Sequence, residues 1–104
     1  MIYQVVLNDR AEKQLEDAYL WYAEHSPASA VTWYNGFLDA IDSLRTNPAR
    51  CQIAAENDLF PVEVRQLLYG RRKNHRALFT IRENVVFVFS VRHTARRDVT
   101  PEDV

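Results

Sequence analysis

The side chains with chemical reach gather late in the chain. Arg65, Arg76, Arg92 and His93 fall on or at the end of strand-like runs, and Arg71, Arg72 and Lys73 follow Gly70. A strand holds a guanidinium stiffly. One fixed arginine beside a histidine is the minimal set for phosphodiester cleavage through the RNA 2′-hydroxyl. The histidine moves a proton and the guanidinium stabilises the developing phosphate charge. The same planar forks take a carboxylate in bidentate fashion, so an acidic peptide fits them equally well. His93 also reads as a hydrogen-bonded structural residue.

Other chemistries are poorly served. Gly36 and Gly70 are the chain's two glycines, and neither sits in a strand-loop-helix motif that could cradle a phosphate. His25, His75 and His93 show no metal-ligand spacing and no HExxH occurs, so neither a metal nor any other cofactor is expected. Ser26, Ser29, Ser43 and Ser90 lack the context of a nucleophile elbow. A single cysteine, Cys51, excludes an internal disulfide and fits a reducing compartment.

The charges are unevenly shared. The whole chain has a net charge of -1, but residues 1–60 carry four basic and nine acidic side chains, and residues 61–104 carry nine and five. Eight of those nine late cations are arginine, which makes the second half the better surface for a polyanion or an acidic partner. At 104 residues with 47% hydrophobic side chains, the chain predicts one packed domain over residues 1–104. No run approaches the ~20 apolar residues of a membrane span, and Ile2–Leu7 is too short for a secretory signal, so a cytoplasmic protein is expected.

Several elements must position these groups. Ile2–Leu7 is rich in β-branched residues, and Asn8-Asp9 offers a helix cap. Ala11, Leu15, Ala18 and Tyr22 recur at helical spacing across residues 10–24. His25-Ser26-Pro27 breaks that run, and Ala30, Trp33, Phe37, Ile41 and Leu44 make a second one up to Asn47-Pro48. Trp21, Trp33 and Tyr34 read as core or hairpin packing. Residues 49–61 read as a connecting loop. Val64–Tyr69, His75–Ile81 and Val85–Val91 then repeat with the period of strands, the last two joined by a tight turn at Glu83-Asn84, where Asn tolerates the left-handed conformation. The predicted class is α+β: an N-terminal strand, an antiparallel two-helix hairpin and a three-stranded antiparallel meander. These form one twisted antiparallel sheet with the helices on one face.

Taken in order, these features resemble the RelE/ParE superfamily of toxins from type II toxin-antitoxin modules, also known as plasmid stabilisation proteins. The resemblance spans nearly the whole chain. It rests on Ala11, Leu15 and Tyr22, on Leu44 and Pro48, and on Val64-Arg65-Gln66-Leu67. It continues through His75-Arg76-Ala77-Leu78-Phe79 and Val88-Phe89-Ser90-Val91-Arg92-His93-Thr94-Ala95-Arg96-Arg97.

The resemblance implies a growth inhibitor held by a cognate antitoxin with an acidic C-terminal segment, touching operator DNA only within that complex. The RelE-like branch cleaves messenger RNA in the ribosome, and there Arg76, Arg65 and His93 would be the catalytic candidates. The ParE-like branch poisons DNA gyrase. Nuclease members commonly place a tyrosine near the C-terminal end, whereas here Thr94 and Thr100 stand near those places and no tyrosine follows Tyr69. The slightly acidic total and the tail around His93 and Arg96-Arg97-Asp98 are more similar to the ParE-like side. Arg65, Arg71, Arg72, Lys73, Arg76, Arg92, Arg96 and Arg97 are the expected contacts for antitoxin or target, with Arg65, Arg76 and Arg92 lining a groove between sheet and hairpin. A non-toxic DNA-binding or partner-only domain is the reading from another class.

Overall fold

A computed structural model describes residues 2–94. Strand β1 is Gln4–Leu7 and leads through Asn8 into helix α1, Asp9–His25. The Asn8 side chain accepts a hydrogen bond from the Ala11 amide at 2.8 Å, and Asp9 and Glu12 complement the helix dipole in the first turn. Ser26 ends α1, its amide bonding the Tyr22 carbonyl, and the same residue precedes helix α2, Pro27–Asp42, whose first position is proline. The bend of the helical hairpin is therefore one residue long. The second helical run was expected to reach Leu44. Regular helix stops at Asp42 and a tight 3-10 turn carries Leu44, still fully buried, before Asn47 turns the chain at a left-handed φ of 49°.

Strands β2 (Arg65–Tyr69), β3 (His75–Arg82) and β4 (Val85–His93) form the expected antiparallel meander, and the sheet order is β1-β4-β3-β2. The sheet is mixed, which corrects the expectation of an antiparallel one: β1 runs parallel to β4, with Gln4 opposite Val85 and Leu7 opposite Val88. The hairpin that follows β1 acts as a crossover and returns the chain along the same face. Thr46 bridges back to Ile2, and the Arg45 carbonyl accepts from the Tyr3 amide, closing that circuit. At the β3–β4 turn the left-handed residue is Glu83, φ 55°, in place of the expected Asn84.

Alternation along the strands gives each face its own cover. On the helical face, Ala77, Phe79, Val86, Val88 and Val91 pack against Ala11, Leu15, Phe37, Ile41 and Leu44. The other face holds a smaller cluster of Ala54, Val64 and Leu78 with Phe60 and Phe89, so β4 is covered at Phe89 while Phe87 stays 38% exposed. Residues 49–61 are more than a connection. The Ala54 amide bonds the Val64 carbonyl, the Gln66 amide bonds the Gln52 carbonyl, and Asn57 Oδ1 accepts from the Val64 amide at 2.8 Å. Short 3-10 turns at Pro48–Arg50 and Ala55–Leu59 shape this strap as it crosses the sheet's second face.

Helix α2 approaches β2 at Gly36. The Tyr69 hydroxyl donates to the Trp33 carbonyl at 3.1 Å, and a Cβ on residue 36 would lie 2.1 Å from that hydroxyl oxygen. Gly36→Ala is therefore expected to cost about 1–3 kcal/mol, because the gain in helix propensity is smaller than the cost of displacing the tyrosine. A urea titration monitored by circular dichroism checks this, and an unchanged or raised midpoint contradicts it.

Candidate functional site

The arginines placed on the sheet by sequence do not share one groove. Arg76 is 6% exposed and faces away from the helices, where its Nη1 donates to Glu56 Oε1 at 2.8 Å and its Nη2 to Glu56 Oε2 at 2.5 Å. Nη1 also reaches Gln66 Oε1 at 3.2 Å. Glu56 is itself fully buried, so the guanidinium fork is closed by a carboxylate of the same chain. Arg92 stands opposite Arg76 in the β3–β4 register and is half-buried. Arg65 points elsewhere: Nη1 donates to the Ala49 and Cys51 carbonyls at 3.1 and 2.6 Å, and Nε donates to Glu63. It ties the strap to β2. The Cys51 thiol beside it is pushed up by burial, and Arg50 and Arg65 offset part of that rise.

Nor are Arg76 and His93 neighbours. His93 pairs with His75 in register, their rings 5.2 Å apart, and residues 75 and 76 point to opposite faces of β3. The arginine and the histidine expected to act together are thus separated by the sheet. Arg71, Arg72 and Lys73 are exposed on the β2–β3 turn, with Arg72 and Lys73 at left-handed φ of 58° and 53°. Arg96 and Arg97 lie outside the described residues.

What sequence reasoning missed is the environment of His75. Its ring is buried among Tyr22, Trp33, Phe37 and His93, with centroids 5.8, 5.1, 6.2 and 5.2 Å away. The Asn74 side-chain amide lies 3.0 Å from Nδ1, and the Tyr22 hydroxyl lies 3.5 Å from Nε2. Burial, and then the neighbouring His93, lower the His75 pKa to about 4, so the ring is neutral at pH 7. The available signal was the helical spacing of Tyr22 on α1 and Trp33 on α2, which brings both rings to the hairpin tip above the start of β3. Trp21 departs from the packing role expected of it and is 58% exposed.

His75 gives the fold a pH dependence of fixed sign. The unfolded chain takes up a proton near pH 6.5 and the folded chain only near pH 4, so this contribution is complete above pH 6.5 and is lost as pH falls towards 4. The loss is at most about 1.4 kcal/mol per pH unit. Urea midpoints of the wild type should fall between pH 6.5 and 4 more steeply than those of His75→Gln, and parallel slopes would contradict the assignment.

A groove of about 700 Å³ opens beside this cluster, between the hairpin tip and the β2–β3 turn. Tyr22, Trp33, Ser29, Thr32, Arg71 and Asn74 line it. Among the described residues no helix is long and apolar enough to cross a membrane.

Comparison with known proteins agrees with this architecture. The chain is similar in structure to the chromosomal ParDE TA system from P. aeruginosa, with a TM-score of 0.71 and 15% identity over 88% of this chain and 96% of that one. It is also similar to the archaeal RelE-RelB complex from Pyrococcus horikoshii OT3, with a TM-score of 0.50 and 16% identity over 93% of this chain and 100% of that one. At such identities the likeness speaks for the fold. No curated protein matches the chain in sequence. The family model described as "ParE toxin of type II toxin-antitoxin system, parDE" matches residues 5–98, from β1 through the hairpin and meander to the last strand and beyond. With nearly the whole chain matched and the hairpin-on-sheet fold in place, the protein belongs to the ParE toxin family of type II toxin-antitoxin systems.

Proposed function

We propose that this toxin inhibits bacterial growth by poisoning DNA gyrase rather than by cutting messenger RNA, and that a cognate antitoxin with an acidic segment neutralises it. The observation that carries the choice of mechanism is the closed fork of Arg76. Phosphodiester cleavage through a 2′-hydroxyl needs a cation free to meet the developing charge, with a proton carrier on the same side. Arg76 is held by Glu56 and Gln66, and His93 lies across the sheet from it. Arg65, the other nuclease candidate, is committed to two carbonyls of the strap. The absence of any tyrosine after Tyr69 points the same way.

An acidic antitoxin is supported by the arginine-rich second half of the chain. The test is purified full-length protein incubated with gyrase, plasmid and ATP, alongside a coupled translation reaction. The expected result is loss of supercoiling with accumulation of cleaved gyrase–DNA complexes, while the translated transcript stays intact. Unaffected gyrase with transcript cut during translation would replace this reading by the RelE-like one. Activity in neither assay, from folded protein, would favour a partner-only member.

A further inference from the structure

The hairpin tip leaves uncovered the kind of surface that folded chains ordinarily bury. Trp21 is 58% exposed, its ring leaning on Tyr22 and His25 with centroids 5.0 and 4.6 Å away. Beside it runs the groove lined by Tyr22 and Trp33. The Trp33 Nε1 is buried without a hydrogen-bond acceptor among the described residues. Across the groove, Arg71 marks the rim and begins the Arg71-Arg72-Lys73 turn. All three cations are exposed, and none forms an ion pair among the described residues. Aromatic anchors beside a cationic rim form the pattern of a protein-binding hot spot.

We infer that this groove docks an acidic segment of a protein partner, with an apolar or aromatic side chain resting on Tyr22 and Trp33 and a neighbouring carboxylate on the Arg71-Arg72-Lys73 turn. The inference rests on the reading that an acidic partner holds the toxin, and it moves that contact away from the sheet. Arg76 is closed by the buried Glu56 carboxylate and Arg65 is tied to the strap carbonyls and Glu63, whereas the cations of the turn form no ion pair among the described residues. Charge also selects between occupants. A nucleic acid would be drawn to the same cations, but residues 1–60, which build the whole hairpin, carry a net charge of -5. That field repels an extended polyanion and leaves room for one or two carboxylates seated at the rim.

The chain's two tryptophans are Trp21 and Trp33, so intrinsic fluorescence reads this site directly. A displayed library of random 12-residue peptides is selected on the folded full-length chain, and enriched peptides are titrated in solution. The expected peptides carry Asp or Glu within a few residues of Trp, Phe or Leu and change the tryptophan emission on binding. They should lose at least ten-fold in affinity to Arg71→Glu/Arg72→Glu and to Trp21→Ala, both built on exposed positions and checked by circular dichroism. Enriched peptides without acidic residues, affinity unchanged in both variants, or no enrichment at all overturns the inference. So does a 12-nucleotide thymidine oligomer that saturates the same fluorescence change and is lost in Arg71→Glu/Arg72→Glu, which would make the groove a nucleic-acid site. Growth arrest on expression scores the toxin reading without any peptide, so the two can fail separately.

Discussion

Glu56→Ala is expected to destabilise the protein by about 3–5 kcal/mol, because it strands a buried guanidinium with one remaining amide oxygen for company. Glu56 is fully buried and Arg76 6% exposed, so water does not reach the pair to compensate. Arg76→Met should also destabilise, because it removes the two hydrogen bonds that the guanidinium donates to the buried carboxylate. The double variant Glu56→Leu/Arg76→Met leaves no unpaired guanidinium at position 76 and should recover part of the Glu56→Ala loss, since an apolar replacement of a buried ion pair is often neutral or better. Urea titrations of the four proteins give the cycle, and single-variant losses below about 1 kcal/mol would show the pair to be effectively solvated. The same cycle separates structure from mechanism. If Arg76 only holds the strap to the sheet, the folded double variant still arrests growth. A toxin that used Arg76 on RNA would lose its activity in that variant however well it folded.

Phe37→Ala has the next largest expected effect, about 3–5 kcal/mol from lost burial and the cavity left behind. Phe37 is fully buried, stacked on Tyr69 at a ring separation of 4.6 Å and edge-on to Trp33 at 5.6 Å. It joins the central core to the aromatic cluster at the groove. The native tryptophan emission should therefore shift as the urea midpoint falls. A loss under about 1 kcal/mol with unchanged emission would mean that helix α2 closes over the gap and that Phe37 does not support the groove.

The hairpin was legible because helical packing writes itself into spacing. Ala11 and Leu15 in the first run, and Phe37, Ile41 and Leu44 in the second, recur at helical spacing, and all five are in the core. The meander was legible because β3 and β4 are β-branched and aromatic runs joined by a tight turn, Val85–Val91 being apolar at almost every position. Pairing direction is not encoded that way: nothing in Gln4–Leu7 distinguishes a parallel partner from an antiparallel one, and the parallel pairing with β4 follows from where the hairpin returns the chain. The fate of Arg76 was hidden for a related reason. Its partner Glu56 lies twenty residues earlier, in a segment without periodicity, and an acid in a polar loop reads as solvated until tertiary structure brings it inside. Position on a strand also left open which face each side chain takes, and so did not reveal that His93 and Arg76 are divided by the sheet. Trp21, expected in packing, is 58% exposed, and the burial of His75 had no counterpart in the sequence reading.

The most direct test of the central claim is induced expression of the wild type in a bacterial host without antitoxin, with growth, transcript integrity and plasmid supercoiling read from the same culture. The account predicts arrest with intact transcripts and gyrase-dependent DNA breaks or altered supercoiling. Arrest with cleaved transcripts and unchanged supercoiling would contradict it.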